Sequence, residues 1–277
     1  MTISAAKVME LRNITGAGMM DCKKALVETD GDMEQAQDFL RKKGISVAQK
    51  KSDRETKEGG VGIAISDDGT KGAIVHLACE TDFVARNEKF GALLDLLTQQ
   101  VLQKGGENFT DQPALDGSGT VGEVLTQNIS TMGENLQLID TALLEAQSGF
   151  VGGYVHSNKR IGVLVAFGGG SANEANQEMA RDVAMHIAAS QVHAVSADDI
   201  DPAVLEKEKE IFIAQAKESG KPDDIVEKMV QGRLSKFVKE VSLLDQPFVK
   251  DPDKTVRGFV ESVDSTLKIE QFIKFQF

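Results

Sequence analysis

An internal repeat, with a spacing of ninety residues, constrains the fold more than any other feature of the sequence. Val61-Gly62 begins a segment that leads to Gly72-Ala73-Ile74-Val75, and Val151-Gly152 begins one that leads to Gly162-Val163-Leu164-Val165. In each copy two apolar runs flank a polar turn, which is typical of a β-hairpin, and a helical pattern follows. The repeat therefore predicts an α+β fold with two related core subdomains, each built from a hairpin and a helix.

The other apolar patterns place the remaining elements of this core. Turns are expected at 67–69 and 157–159, between the strands of each hairpin. The helices and strands predicted besides the hairpins are a helix from about Phe83 to Lys104, a helix at Val121–Thr131, a strand at Leu136–Ala146, a helix from about Ala172 to Gln191, a short helix after Asp253 and a last strand at 269–277. Residues 60–147 would then form one core subdomain, and residues 148–195 with 242–277 the other.

Residues 1–48 read as a separate module of three short helices. The apolar positions recur at helical spacing, and the breaks between helices fall at Gly16-Ala17-Gly18 and Asp30-Gly31-Asp32. Asp32 is a predicted N-cap, and Gly44 a predicted helix end. A three-helix module of this size resembles a ubiquitin-associated domain, which implies partner binding through an exposed loop, here Gly16 to Met20. The polar segment 49–59 is expected to be a linker.

Residues 196–241 are predicted to form an antiparallel helical hairpin. Two amphipathic arms flank Ser219-Gly220-Lys221-Pro222, a combination that favours a tight turn between helices. The apolar stripes are narrow and the charge is dense, as in Glu206-Lys207-Glu208-Lys209-Glu210. We therefore expect this coiled-coil hairpin to protrude from the core.

Charge and cysteine content exclude several classes of protein. Residues 1–57 carry 11 Lys and Arg against 9 Asp and Glu, whereas the rest carries 20 against 34, for a net charge of −12. An acidic body argues against nucleic-acid binding through phosphate contacts. Cys22 and Cys79 are expected to be core thiols and not a disulfide framework. Neither a membrane span nor a signal peptide is predicted, so a cytoplasmic location is expected.

No residue pattern predicts covalent catalysis, a bound metal or a cofactor. His76 and Cys79 are three apart in a predicted strand and so point to opposite faces. His186 and His193 are two helical turns apart, which is too far for easy chelation of one ion. Nucleophile-elbow, dinucleotide and phosphate-loop motifs are absent from the sequence. A binding protein is therefore favoured over an enzyme.

A conspicuous seven-residue segment follows the second strand of the first copy, Thr81-Asp82-Phe83-Val84-Ala85-Arg86-Asn87. One interpretation is structural: Asp82 caps the next helix and Phe83 packs into the core. The second copy has Ser171-Ala172-Asn173 at the equivalent place, so this type of turn does not require an aspartate and an aromatic ring. That difference favours the other interpretation, in which Asp82 and Phe83 serve a partner.

This segment resembles a signature of the elongation factor Ts family, the exchange factors for the bacterial GTPase elongation factor Tu. Further segments resemble the family in the same order: Leu11 to Leu26, with Thr15-Gly16-Ala17-Gly18 and Asp21-Cys22-Lys23-Lys24-Ala25-Leu26, then Arg160 to Val165, Ala184 to Ala189, and Gln246 to Val249. The resemblance thus extends over nearly the whole chain. Some members continue into a further C-terminal helix, and contacts from that helix are not carried over.

The resemblance implies guanine nucleotide exchange on elongation factor Tu, with Phe83 inserting beside the Mg²⁺ site of the GTPase. Asp82 would add a polar contact there, while Thr81 and Val84 fix the geometry of the turn. The other partner contacts expected are Arg12, Gly18, Met19, Met20 and His156. A homodimer and a complex with two copies of each protein both stay open. The alternative function is an interaction adaptor that uses the three-helix module.

Overall fold

The structure is a computed structural model that describes residues 3–217 and 222–277, and it is an α+β protein of helices and antiparallel sheets. Contacts between residues divide the chain into two units. The first unit comprises Met1–Gly62, Ala73–Leu143 and Gln276–Phe277, and the second comprises Ile63–Gly72 and Leu144–Phe275. The finer boundaries of the five segments expected from the sequence stay predictions.

From residue 3 to residue 145 the described chain forms six α-helices and one three-stranded sheet. The helices are α1 Ala5–Thr15, α2 Met19–Glu28, α3 Met33–Gln49, α4 Asp82–Ala85, α5 Glu88–Lys104 and α6 Val121–Met132. The strands are β1 Glu58–Ile65, β2 Lys71–Cys79 and β3 Leu136–Glu145, in the order β1-β2-β3. A 3-10 turn, Phe109–Asp111, precedes α6. The helix and strand predicted at Val121–Thr131 and Leu136–Ala146 are confirmed.

The rest of the described chain contains four helices and two sheets. The helices are α7 Glu174–Ala189, α8 Pro202–Lys217, α9 Asp223–Val241 and α10 Val256–Val263. The strands are β4 Gly149–Val155, β5 Ile161–Gly168, β6 Pro247–Phe248, β7 Asp251–Thr255 and β8 Lys268–Gln276. The sheets have the orders β4-β5-β8 and β6-β7, and 3-10 turns occur at Ala197–Asp199 and Leu243–Asp245. The predicted helix after Asp253 and the predicted last strand are both confirmed.

The three N-terminal helices begin and end largely where local sequence signals place them. Asp32 accepts a hydrogen bond from the backbone N–H of Gln35 and so caps α3, as predicted. Gly16 ends α1 with a φ of +67°, a left-handed conformation that favours glycine. The predicted helix end at Gly44 is wrong, since α3 continues to Gln49. Gly44 is buried where α3 packs on α6, and this packing outweighs the roughly 1 kcal/mol that a glycine costs inside a helix.

In each predicted copy of the repeat, two strands and a short turn are followed by helix. In the second copy β4 pairs antiparallel with β5, from Gly149 opposite Gly168 to Val155 opposite Gly162. The repeated glycines have a packing role, because a methyl group at Gly62 would lie 2.5 Å from Thr98 Oγ1 of α5. A methyl group at Gly152 would likewise overlap the Cβ of Ala180 in α7. A strand of each copy thus lies directly against its helix.

Each unit has its own apolar core. In the first unit β2, α5 and α6 bury a cluster around Val75, Phe90, Leu97 and Ile129. In the second unit β5 and α7 bury Phe167 and Val183, and the returning C-terminal segment adds residues such as Phe248 and Val260. The expectation that residues 242–277 return to the core is therefore confirmed.

A buried histidine links α7 to the β6 region within the second unit. His186 is 2% exposed, its Nδ1 accepts a hydrogen bond from the backbone N–H of Val249, and its Nε2 donates to Gln246 Oε1. This pairing holds one neutral tautomer. Burial lowers the pKa of His186, and the hydrogen bond with Gln246 offsets part of that shift.

Helices α8 and α9 pack along their length as an antiparallel pair. The end of α8 meets the start of α9 in a cluster that includes Ala216, Val226 and Val230. The start of α8 meets the end of α9 around Leu205 and Phe237. The antiparallel arrangement is thus confirmed, whereas protrusion of the hairpin stays a prediction. The predicted turn residues Ser219, Gly220 and Lys221 lie outside the described residues.

Candidate functional site

The seven-residue segment and the preceding Glu80 form an irregular turn between β2 and α5, which we call the 80–87 turn (Glu80 to Asn87). The single helix predicted from about Phe83 to Lys104 is wrong, because the one-turn helix α4 is separated from α5 at Arg86 and Asn87. Asn87 starts α5 afresh, since its side chain accepts a hydrogen bond from Lys89 N at 2.9 Å. The predicted helix is therefore interrupted directly after the residues of α4.

Phe83 projects from this turn into solvent. Its side chain is 82% exposed, whereas Phe90, seven residues later, is 1% exposed in the core. Val84 and Ala85, its neighbours on α4, pack against the core of the first unit and anchor the turn. The interpretation that Phe83 fills the core is therefore wrong. A largely exposed aromatic ring on a well-anchored turn is typical of a surface that meets another molecule.

Asp82 does not cap the helix, which corrects the other half of the structural interpretation. Thr81 is the N-cap of α4, and its hydroxyl oxygen accepts from the backbone N–H of Val84 at 3.4 Å. The Asp82 carboxylate instead forms an exposed ion pair with Arg86, at 3.1 Å and one helical turn away. Exposed pairs of this kind contribute little to stability, so both charged groups remain available to a partner.

Glu134, between α6 and β3, holds the entrance to the 80–87 turn, and the sequence pattern did not reveal it. Its Oε2 accepts the backbone N–H groups of Glu80 and Thr81 at 3.1 and 3.0 Å. Its Oε1 accepts the hydroxyl of Thr81 at 2.6 Å. The only local signal is Gly133, a left-handed helix C-cap that turns the chain out of α6 just before this carboxylate.

Further hydrogen bonds brace the same corner of the first unit. Glu80 Oε1 accepts from the backbone N–H of Asn135 at 2.6 Å, and Glu80 also forms an ion pair with Arg54 at 3.4 Å. The buried Asn135 amide donates to Arg54 O at 2.9 Å. Cys79 donates from Sγ to Thr81 O at 3.2 Å, and burial raises the pKa of its thiol to about 12, so it is a packed thiol and not a nucleophile.

The residues expected to contact a partner from the N-terminal helices lie at the junction of α1 and α2. Gly18 is the N-cap residue of α2, and Met19 and Met20 open that helix. Met20 is 73% exposed and Met19 is less so, while Arg12 is exposed near the end of α1. Two adjacent exposed methionines form an adaptable apolar surface. These residues and Phe83 all belong to the first unit.

His156 belongs to the second unit, at the turn between β4 and β5. The histidine is exposed, and its Nδ1 shares a hydrogen bond with the hydroxyl of Tyr154 at 2.9 Å. Its backbone carbonyl accepts from Lys159 N, which closes the turn. The ring is thus held in one orientation on a short hairpin loop.

Residues 3–217 and 222–277 contain no group of three or more His, Cys, Asp or Glu side chains placed to hold a metal ion. Within the same ranges, no helix has the length and apolar character that crossing a bilayer requires.

Two kinds of comparison with known proteins agree on one family. A family model described as Elongation factor TS matches residues 80–277. The protein Elongation factor Ts of Hydrogenovibrio crunogenus is 45% identical over 279 residues, covering 100% of this chain and 92% of the relative. That of Hyphomonas neptunium is 48% identical, covering 96% and 89%, and that of Rhizobium meliloti is 47% identical with the same coverage.

Proposed function

The chain belongs to the elongation factor Ts family of translation factors, and from this premise we propose that it is the guanine nucleotide exchange factor for elongation factor Tu. It acts in the cytoplasm by protein–protein contact and binds no nucleic acid directly, in keeping with its net charge of −12. It makes and breaks no covalent bond.

Exposure of Phe83 is the observation that carries this proposal. A phenylalanine that stays in water forgoes about 1.5–3 kcal/mol of burial free energy. Its neighbours Val84 and Ala85 are packed, and Phe90 shows that the same core accommodates a phenylalanine completely. The exposed ring is therefore available for burial in a partner.

Exchange follows from linkage between two binding equilibria. A factor that weakens the hold of the GTPase on GDP must itself be bound less tightly by the GDP-bound form, by the same ratio. The GTPase holds GDP through a phosphate-binding loop and Mg²⁺, so disturbing that end is the most effective way to release it. Phe83 is the wedge that enters beside the Mg²⁺ site, and Asp82 makes a polar contact at the same edge.

Burial of one ring does not hold the whole complex together. Burial of Phe83 contributes about 1.5–3 kcal/mol, whereas a micromolar complex requires about 8 kcal/mol. The remaining affinity comes from Arg12, Gly18, Met19 and Met20 in the first unit, and from His156 in the second unit. Met20 is the strongest of these candidates, because most of its side chain is exposed.

Release of fluorescent GDP from purified elongation factor Tu tests the function directly. The expected result is a release rate that rises with the concentration of this protein and then saturates. An adaptor that uses only the three-helix module would bind without changing the release rate. Absence of acceleration at saturating protein would therefore refute exchange activity and favour the adaptor.

A further inference from the structure

The hydrogen bonds of Glu134 converge on the backbone that carries Phe83. The carboxylate accepts three hydrogen bonds, two from consecutive backbone N–H groups and one from the Thr81 hydroxyl, at 3.0–3.1 and 2.6 Å. Hydrogen bonds to an ionised carboxylate are stronger than those between neutral groups. Thr81 in turn accepts from Val84 N, on the far side of Phe83. A chain of contacts thus runs from Glu134 around the turn to both flanks of the ring.

We propose that Glu134 is a positioning residue for nucleotide exchange: it holds the 80–87 turn in the conformation that presents Phe83 before the partner arrives. This inference rests on the proposed function and extends it to a residue outside the motif. Glu134 does not touch the partner in this role, because its carboxylate is already occupied by Glu80 and Thr81.

The physical reason for such a residue is the cost of ordering. Holding a residue in a single backbone conformation costs conformational entropy. For the two residues Glu80 and Thr81 that cost is comparable to the burial free energy of one phenylalanine. If the turn were ordered only on binding, most of the wedge's contribution would be lost. When Glu134 already holds the turn in the free protein, the burial free energy of Phe83 remains available for displacing the nucleotide.

The decisive measurement is a double-mutant cycle on the maximal rate of fluorescent GDP release. Glu134→Ala in the wild-type background should lower the rate about tenfold, equivalent to about 1.4 kcal/mol. In the Phe83→Ala background the same change should lower the rate less than twofold, because there is no ring left to position. A merely structural role would slow release equally in both backgrounds, and that result would overturn the inference.

Side-chain length provides a second test that does not depend on the alanine variant folding. Glu134→Gln keeps the length and an acceptor oxygen for Glu80 and Thr81, whereas Glu134→Asp keeps the charge but is one methylene shorter. We expect GDP release from elongation factor Tu to be several times faster with the glutamine variant than with the aspartate variant. Equal rates for the two variants would refute the positioning role of Glu134.

Glu107→Ala is the matched control, since it removes an exposed carboxylate of the first unit that does not contact the turn. It should leave the rate unchanged, and a loss as large as that of Glu134→Ala would count against the inference. If the wild-type protein itself gives no acceleration, the proposed function fails and this inference with it. If the wild type accelerates release and the Glu134 variants equal it, only the inference fails.

Discussion

Truncation of Phe83 to alanine should slow nucleotide exchange and leave the stability of the fold almost unchanged. The ring is 82% exposed in the free protein, so its removal should change the free energy of unfolding by less than about 0.5 kcal/mol. In the proposed mechanism the ring becomes buried in the partner in the transition state for GDP release, where burial of a phenylalanine would contribute about 1.5–3 kcal/mol. Each 1.4 kcal/mol is a factor of ten, so the maximal release rate should fall about ten- to hundredfold.

Stopped-flow release of fluorescent GDP, measured over a range of factor concentrations, gives both quantities needed. The maximal rate should fall, while the concentration at half-maximal rate should change much less, because the partner contacts proposed for Met20 and His156 would be unaffected. Phe83→Leu should be intermediate, since leucine retains part of the apolar surface. Thermal unfolding of each variant shows whether the fold is intact.

Ile139→Ala is the control for loss of an exposed apolar side chain, as Ile139 is 51% exposed on β3. It should stimulate GDP release from elongation factor Tu at the wild-type rate. Wild-type rates for Phe83→Ala would remove the ring from the mechanism. A fall of several degrees in its melting temperature would show instead that the ring supports its own fold.

The remaining predictions concern affinity, pH and packing. Met20→Ala should weaken binding to nucleotide-free elongation factor Tu about tenfold, by loss of a buried interface side chain; unchanged affinity in calorimetry would exclude it from the interface. Burial lowers the pKa of His186, so the unfolded chain binds more protons than the folded chain near and below pH 6.5. The free energy of unfolding should therefore decrease as the pH is lowered through this range. Urea titrations at pH 7.5 and 5.5 should show a smaller fall for His186→Gln, and an equal fall would contradict this. Gly152→Ala should cost about 1–3 kcal/mol in urea unfolding by overlap with Ala180, and an unchanged free energy of unfolding would contradict this close packing.

Local chemistry explains why much of the fold could be predicted from sequence. Apolar periodicity placed β4, β5 and α7, and Asp32 capped α3 because a cap needs only its own next turn. One error arose where packing outweighed a local signal, and the other where a local helix cap was not predicted. Gly44 lies inside α3 because α6 packs on it, and the helix assigned from Phe83 is interrupted because Asn87 caps a new one.

The candidate site divides in the same way. Its motif is contiguous, so the sequence alone was enough to predict Phe83 and its neighbours as candidate contacts. The role of Glu134 depends on a hydrogen bond between residues 53 positions apart, and no local pattern encodes that approach. Phe83 and Phe90 are the same residue type seven positions apart, yet one lies in solvent and the other in the core. Local sequence determined which helices and strands form, whereas burial depends on which distant segments pack against them, and only the tertiary structure decided that.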